Sequence, residues 1–303
     1  MKILVTGASG LLGFNIIQAC LRRNHTPIAL THTHALDASL SMDQFSLDLS
    51  EFTTLERLAL DHWPDAIVHT AAISEPDIVD KNPQFAEHLN VALPRRLAQI
   101  AHHIGALFIH ISSDMVFSGK QTEPHRTTDL PEPTTLYGQQ KLQAEREVLE
   151  HCTDRPIVLR IPILNGNGWT GIRSVHEKLF ASWSRGKRPT LYTNERRQPT
   201  SASDTAEAII ELCERGNLTG IFHWAGLHTV TRAQMGQAIL KHFNLPVELI
   251  DTVECTESER PLNLLLNLHP IAGKLKTTPL SLDQQIEQLT VPKPAYAWYE
   301  SQF

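Results

Sequence analysis

The stretch that most constrains what this chain can fold into is its first thirteen residues. Lys2 to Thr6 reads as a short buried strand, and it runs without a linker into Thr6-Gly7-Ala8-Ser9-Gly10-Leu11-Leu12-Gly13. The glycines there are spaced G-x-x-G-x-x-G. From Leu11 to Arg23 the apolar residues Leu12, Ile16, Ile17, Ala19 and Cys20 recur at helical spacing. A strand, a glycine turn and a helix in immediate succession make a βα unit of a parallel sheet. Glycines let the backbone approach a pyrophosphate closely, and the helix N-terminus offers amide donors and the positive end of a dipole. The competing reading of the same stretch is a tight βα turn that holds no ligand.

The pattern continues. Pro27 to Thr31 reads as a second strand and ends in Thr31-His32-Thr33-His34, with neither carboxylate nor arginine. An acidic residue there would grip the adenosine ribose of NAD, so its absence mildly favours NADP. Gln44 to Leu47 is expected as the third strand, followed by Asp48 and Leu49, where a carboxylate could meet an adenine amine or cap the next turn. Thr53-Thr54-Leu55-Glu56 fits a capping box before a short helix. Ala66 to His69 is the fourth strand and delivers the small residues Thr70, Ala71 and Ala72, which leave room for a cofactor. Pro83 to Ile104 reads as one long amphipathic helix that Pro94 should kink or break.

Leu107 to Ile111 is the fifth strand, and it places Ser112, Ser113 and Asp114 at the sheet edge where ligands of open parallel sheets bind. A proline-rich loop then leads to Tyr137-Gly138-Gln139-Gln140-Lys141. Tyr137 and Lys141 stand four apart at the head of an amphipathic run, so on a helix they share a face. An ammonium beside a phenol favours the phenolate, and a tyrosine so tuned can exchange a proton with a carbonyl or alcohol oxygen.

Composition narrows the function classes. The 303 residues carry a net charge of −6, which argues against a nucleic-acid binder. The apolar run Ile3-Leu4-Val5 is too short for a signal sequence, and no stretch reaches the length of a membrane span. Cys20, Cys152, Cys213 and Cys255 follow no motif spacing, which suits a reduced, cytoplasmic protein. His32 with His34, or His102 with His103, lack a carboxylate or cysteine to complete a ligand set, so no metal is expected.

After the sixth strand, Ile157 to Ile161, the composition shifts at Leu164 into the loop Asn165-Gly166-Asn167-Gly168. Val175 to Arg185 and Ser203 to Glu214 read as helices, and Ile221 to Trp224 as a strand returning to the main sheet. Thr231-Arg232-Ala233-Gln234 fits a capping box for a helix through Phe243. Arg173, Arg185, Lys187, Arg188, Arg196 and Arg197 make one region locally basic, as a nucleotide-sugar diphosphate would require. The expected architecture is α/β: a Rossmann-type doubly wound parallel sheet with a smaller C-terminal α/β substrate domain. Residues 1–164, with about 196–227 returning, would form the cofactor domain, and 165–195 with 228–303 the substrate domain.

The glycine turn, His69-Thr70-Ala71-Ala72, Asn90, Ile111 to Phe117 and Tyr137 to Lys141 together resemble the extended short-chain dehydrogenase/reductase superfamily. Arg160-Ile161-Pro162, Gln198-Pro199-Thr200 and Arg260-Pro261-Leu262-Asn263 extend the resemblance to its dTDP-4-dehydrorhamnose reductase-like, sugar-nucleotide-binding branch. The resemblance implies that Tyr137 is the general acid and that Lys141 holds the nicotinamide ribose. Ser113 would polarise the substrate oxygen, with Ser112 as the fallback. Cofactor contacts would come from Gly7, Ser9, Gly10, Leu11, Leu12, Gly13, Asp48, Leu49, Thr70, Ala71, Ala72, Tyr137, Lys141 and Pro162. The substrate side would involve Met115, Ile163, Gln198 and Arg260.

Two positions depart from the reductase pattern: Met115 stands where it has a tyrosine, and Ile163 where it has a tryptophan. The implied activity is NAD(P)-dependent reduction of a 4-keto nucleotide sugar. Two alternatives share the fold. One is a nucleotide-sugar epimerase or dehydratase, which Met115 disfavours because it supplies no second carboxylate. The other is a catalytically silent NADP-binding subunit similar to the regulatory subunit of methionine adenosyltransferase. The oligomeric state stays open, with a homodimer among the expectations.

Overall fold

The computed structural model describes residues 1–256 and 260–303. Seven strands form its main sheet: β1 (Lys2–Thr6), β2 (Thr26–Thr31), β3 (Asp43–Ser46), β4 (Ala66–His69), β5 (Leu107–Ser113), β6 (Pro156–Ile161) and β7 (Gly220–His223). Every pair is parallel, in the spatial order β7-β6-β5-β4-β1-β2-β3. The chain therefore winds outward from β1 to β3, returns, and winds the other way from β4. The reversal falls between β1 and β4, and a crevice opens at the C-terminal strand ends there.

Period-two alternation assigns each strand residue to a face. Ile3, Val5, Ile109, Ile157 and Leu159 pack with α1 (Leu11–Arg22) and with Ile209, Leu212 and Cys213 of the helix Ala202–Arg215. Leu4, Ile67, Phe108 and Val158 face the other way, toward Leu55 and Ala59 of α2 (Phe52–His62), Leu97 and Ala101 of α3 (Leu93–Ile104), and Val148 of α4 (Leu136–His151). Both faces of the sheet are thus covered, as a parallel sheet requires. A third apolar cluster unites Val175, Phe180 and Trp183 of α5 (Val175–Trp183) with Met235, Ile239 and Leu240 of the helix Arg232–His242. Short strands surround that cluster. Arg196–Arg197 pairs with both Val230–Thr231 and Asn263–Leu264, and Thr190–Tyr192 pairs with Asp251–Val253. Among the described residues no helix is long and apolar enough to cross a membrane.

Three local expectations change. The third strand lies one residue earlier, at Asp43–Ser46. The helix expected to start with a capping box at Thr53 starts at Phe52, and its cap residue Glu51 makes no side-chain capping bond. The box at Thr231 does form, with Thr231 N donating to Gln234 Oε1 at 2.8 Å and Gln234 N donating to Thr231 Oγ1 at 3.1 Å. The long helix from Pro83 is divided by a wider π-type turn at His88–Ala92, and Pro94 becomes the second residue of α3. A proline costs least in a first helical turn, where its missing N–H has no partner to lose.

Candidate functional site

A cleft of about 1670 Å³ opens over the C-terminal ends of β1, β4, β5 and β6. Gly7, Ser9, Gly10, Leu11 and Leu12 line it, where β1 turns into α1. Gly10 caps α1 without a side-chain bond, and no acidic residue stands in the first turn. The free amides and the dipole of that end therefore face the cleft unneutralised, a donor set that fits a dinucleotide's phosphates. Gly13 does not line the cleft. It lets α1 lie on the turn, because a Cβ there would come within 2.2 Å of the Gly7 carbonyl oxygen.

Further along, Asp48, Leu49, Thr70, Ala71 and Ala72 also line the cleft. Asp48 serves the turn as well, since its Oδ1 accepts from Ser50 N at 2.9 Å. Thr70 Oγ1 donates to the Thr6 carbonyl at 2.7 Å, which fastens the end of β4 to β1. Asn90 exchanges hydrogen bonds with the Ile73 backbone and donates to Gln140 of α4 at 2.9 Å. These bonds hold the small-residue loop open beside the strand ends.

Opposite stands α4. Thr135 caps it by accepting from Gly138 N at 3.1 Å. The helix presses so closely on the turn Asp114–Val116 that a Cβ on Gly138 would reach 2.2 Å from the Met115 carbonyl oxygen. That contact brings Tyr137 beside Ser113. Ser113 Oγ donates to Asp114 Oδ1 at 3.1 Å and accepts from Met115 N at 3.2 Å.

Ser112 has a different place. Its hydroxyl donates to Glu145 Oε1 at 2.5 Å, and Glu145 forms a two-pronged pair with Arg160 at 2.9 and 2.7 Å. Both partners of that pair are buried. Although Ser112 lines the cleft, its hydrogen is committed to this ion pair, so of the two serines Ser113 is the one placed beside Tyr137.

The electrostatics correct one expectation. Burial pushes the Tyr137 phenol well above the usual tyrosine range, the charge of Asp114 adds to that, and the Ser113 hydroxyl opposes it. The Lys141 ammonium, expected from i, i+4 spacing to depress it, is not among the groups that shift it; Lys141 Nζ lies 3.2 Å from Nε2 of the buried His110. Burial lowers Lys141 to about 8, against the pull of Glu145. Burial also keeps His110 neutral, with Lys141 and His69 adding to the effect. Its ring stacks on His69, centroids 5.4 Å apart, and His69 Nδ1 lies 2.7 Å from Thr6 Oγ1.

Pro162, Ile163 and Met115 give the far wall an apolar stretch, and Arg260 lines the cleft beyond them. Gln198 lies outside the cleft lining. Its amide bridges two backbones, donating to the Gly226 carbonyl at 2.7 Å and accepting from Leu266 N at 2.9 Å. Of the basic residues singled out in the sequence, Arg173 and Arg197 reach the cleft, while Arg188 pairs with Asp251 at 2.6 Å away from it.

Two residues that the sequence reading missed complete this wall: Glu195 and Arg232. Glu195 is the hub of three arginines, with Arg197 Nη2 at 2.9 Å, Arg260 Nε at 2.6 Å and Arg232 Nε at 4.0 Å. Arg232 Nη1 is buried and makes no hydrogen bond. Three guanidinium groups around one carboxylate leave an excess of positive charge facing the cleft. Arg232 was legible only as part of a capping box, since the sequence carries no sign that its side chain turns inward.

A family model described as the RmlD substrate binding domain matches residues 1–290. The methionine adenosyltransferase 2 subunit beta of Xenopus tropicalis is 34% identical over 254 residues, which span 81% of this chain and 73% of that protein. The crystal structure of a hypothetical dTDP-4-dehydrorhamnose reductase from Sulfolobus tokodaii superposes with a TM-score of 0.81 at 28% identity, covering 96% of this chain and 100% of the other. That of a dTDP-4-dehydrorhamnose reductase from Bacillus anthracis str. Ames in complex with NADP gives a TM-score of 0.80 at 20% identity, over 95% and 96% of the two chains. At that identity the likeness speaks for the fold.

Proposed function

This chain belongs to the RmlD substrate binding domain family, and from that premise we propose that it is an oxidoreductase: an NAD(P)-dependent reductase of a 4-keto nucleotide sugar. The observation that carries the reading is the meeting of Ser113, Tyr137 and Lys141 in one cleft with the uncapped end of α1. A nicotinamide cofactor bound along the glycine turn supplies the hydride. Asp48 and Leu49 sit where its adenine end would lie, Thr70 to Ala72 beside its middle, and Lys141 and Pro162 toward the ribose and nicotinamide. Tyr137, held protonated by burial, donates its proton to the carbonyl oxygen as that oxygen gains charge. Arg197, Arg232 and Arg260 are placed to bind the diphosphate of the substrate. The relative crystallised with NADP supports the cofactor class.

Residues 1–164 and about 196–227 then act as the cofactor-binding part, with Arg196–Arg197 reaching over to pair with Val230–Thr231 and Asn263–Leu264 of the other part. Residues 165–195 and 228–303 act as the substrate-binding part, as the separate apolar cluster around Phe180 and Trp183 supports. A second reading, a cofactor-binding subunit without turnover, is favoured by one observation. The likeness to a methionine adenosyltransferase subunit coincides with Met115 and Ile163 in place of the reductase aromatics.

Calorimetric titration with NADPH and NADH, followed by a panel of 4-keto nucleotide sugars with absorbance read at the reduced-nicotinamide band, separates the two. Oxidation by one sugar establishes the reductase and names its substrate. Binding without oxidation across the panel points to the silent subunit, and no binding of either cofactor removes both readings.

A further inference from the structure

A hydroxyl has one hydrogen to give and two lone pairs with which to accept. At Ser113 the hydrogen goes to Asp114 Oδ1 at 3.1 Å, and one lone pair takes Met115 N–H at 3.2 Å. Asp114 is 4% exposed, and its Oδ2 makes no hydrogen bond. Both residues line the cleft beside Tyr137. A serine that spends its hydrogen on a carboxylate cannot also donate it to a substrate's carbonyl, and would turn a lone pair toward that oxygen instead.

We propose that Asp114 is a positioning residue whose protonation decides which way the Ser113 hydroxyl points. This rests on the carbonyl-reduction reading above. With a proton on Oδ1, the carboxyl donates to Ser113 Oγ. Both lone pairs of Ser113 are then filled, by Asp114 and by Met115 N–H, and its hydrogen turns away from Asp114, toward the Tyr137 hydroxyl that it already faces and the substrate oxygen beside it. When Asp114 ionises, it takes that hydrogen back. Asp114 gains and loses no atom in the turnover itself, since the proton on the product oxygen comes from Tyr137.

The groups facing Asp114 decide where it titrates. Arg197 faces it from the short strand Arg196–Arg197, Tyr137 from α4, and Ser113 from β5. Burial pushes the carboxyl up, and Arg197 and the Ser113 bond pull it back only in part, leaving it at about 6. Arg197 cannot do more because its guanidinium is already engaged by Glu195 and by the carbonyls of Arg196, Pro261 and Leu262. Beyond Arg197 stand Arg232 and Arg260, also turned to Glu195.

The test is the pH profile of kcat for NADPH oxidation by dTDP-4-dehydrorhamnose, in the wild-type protein and in Asp114→Asn, beside an infrared titration. The asparagine cannot ionise at any pH, and its NH2 supplies a donor for Ser113 Oγ as the protonated acid does. Wild-type kcat should fall about tenfold per pH unit above a turning point near 6. Asp114→Asn should hold a flat profile through pH 8 and there exceed the wild type. A variant profile parallel to the wild type, or one depressed at all pH values with NADPH affinity intact, overturns the proposal.

The infrared arm needs no turnover. Asp114 and the buried Asp204 both stand at about 6, so the protonated-carboxyl absorption that fades near pH 6 should lose one component in Asp114→Asn, keep the Asp204 component, and have the Asp114 component alone shift in Ser113→Ala. An Asp114 component indifferent to Ser113→Ala overturns the proposal whatever the kinetics show. No NADPH oxidation at any pH by any sugar of the 4-keto panel, with the band behaving as stated, removes the reductase reading while the Asp114–Ser113 exchange stands.

Discussion

Burial holds the Tyr137 phenol protonated, and the Asp114 charge reinforces it. A phenol in that state is a donor and not a base, which suits the reductive direction, where an oxygen must be protonated as it receives electrons. Tyr137→Phe removes the one transferable hydrogen and leaves the ring that fills the site. NADPH oxidation should drop by roughly 10²-fold or more, while calorimetric NADPH affinity stays within about twofold. Equal loss of both would mean that Tyr137 shapes the cofactor site and donates nothing. Ser112 shows how two like residues can part ways. Period-two alternation turns one serine hydroxyl to the Glu145–Arg160 pair and its neighbour to Tyr137. In the sequence both serines stand alike at the end of β5, and only their partners in space separate them.

At the scale of elements, two close approaches set the site. Gly13 seats α1 on the glycine turn, and Gly138 seats α4 on the Asp114–Val116 turn. Gly138→Ala should therefore push α4 away from Ser113. The expected result is a kcat loss of about tenfold or more with the melting temperature lowered only modestly; an unchanged kcat would show that the helix can slide without cost. Gly13→Ala acts on the other half, and its damage should appear in NADPH affinity.

The βα units were readable because each strand alternates faces, each helix repeats at 3.6, and glycines mark the turns between them. The strands around the third cluster were not, because two or three residues are too few to show a period. The same limit hid the arginine wall. Arg197, Arg232 and Arg260 come from three separate segments, and only the pairing of Arg196–Arg197 with Val230–Thr231 and Asn263–Leu264 gathers them at Glu195.

For the whole molecule, one carboxylate stitches the C-terminal segment to the helix Ala202–Arg215 that covers the sheet. Burial pushes Glu211 up, but the amides of Lys276 and Thr277, with Arg215 and the Thr277 hydroxyl, pull it down further, to about 2. A carboxyl depressed in the fold stabilises fully above its unfolded value near 4.5 and loses that contribution as pH falls toward 2. Glu211→Gln should cost roughly 1–3 kcal/mol at pH 7 and shrink the acid-induced fall in melting temperature. A variant that melts with the wild type at pH 7 would show that the segment holds without this charge.

The packing of α1 against the helix Ala202–Arg215 has a practical consequence as well. Cys20 and Cys213 lie in that shared core, and burial holds both thiols protonated, Cys20 at about 12. A thiol that is both sealed off and protonated cannot attack a disulfide reagent until the two helices part. The chain therefore carries its own clock for breathing of the sheet's outer layer. Labelling of these two cysteines should proceed at the pace of that opening and slow further when a dinucleotide is bound.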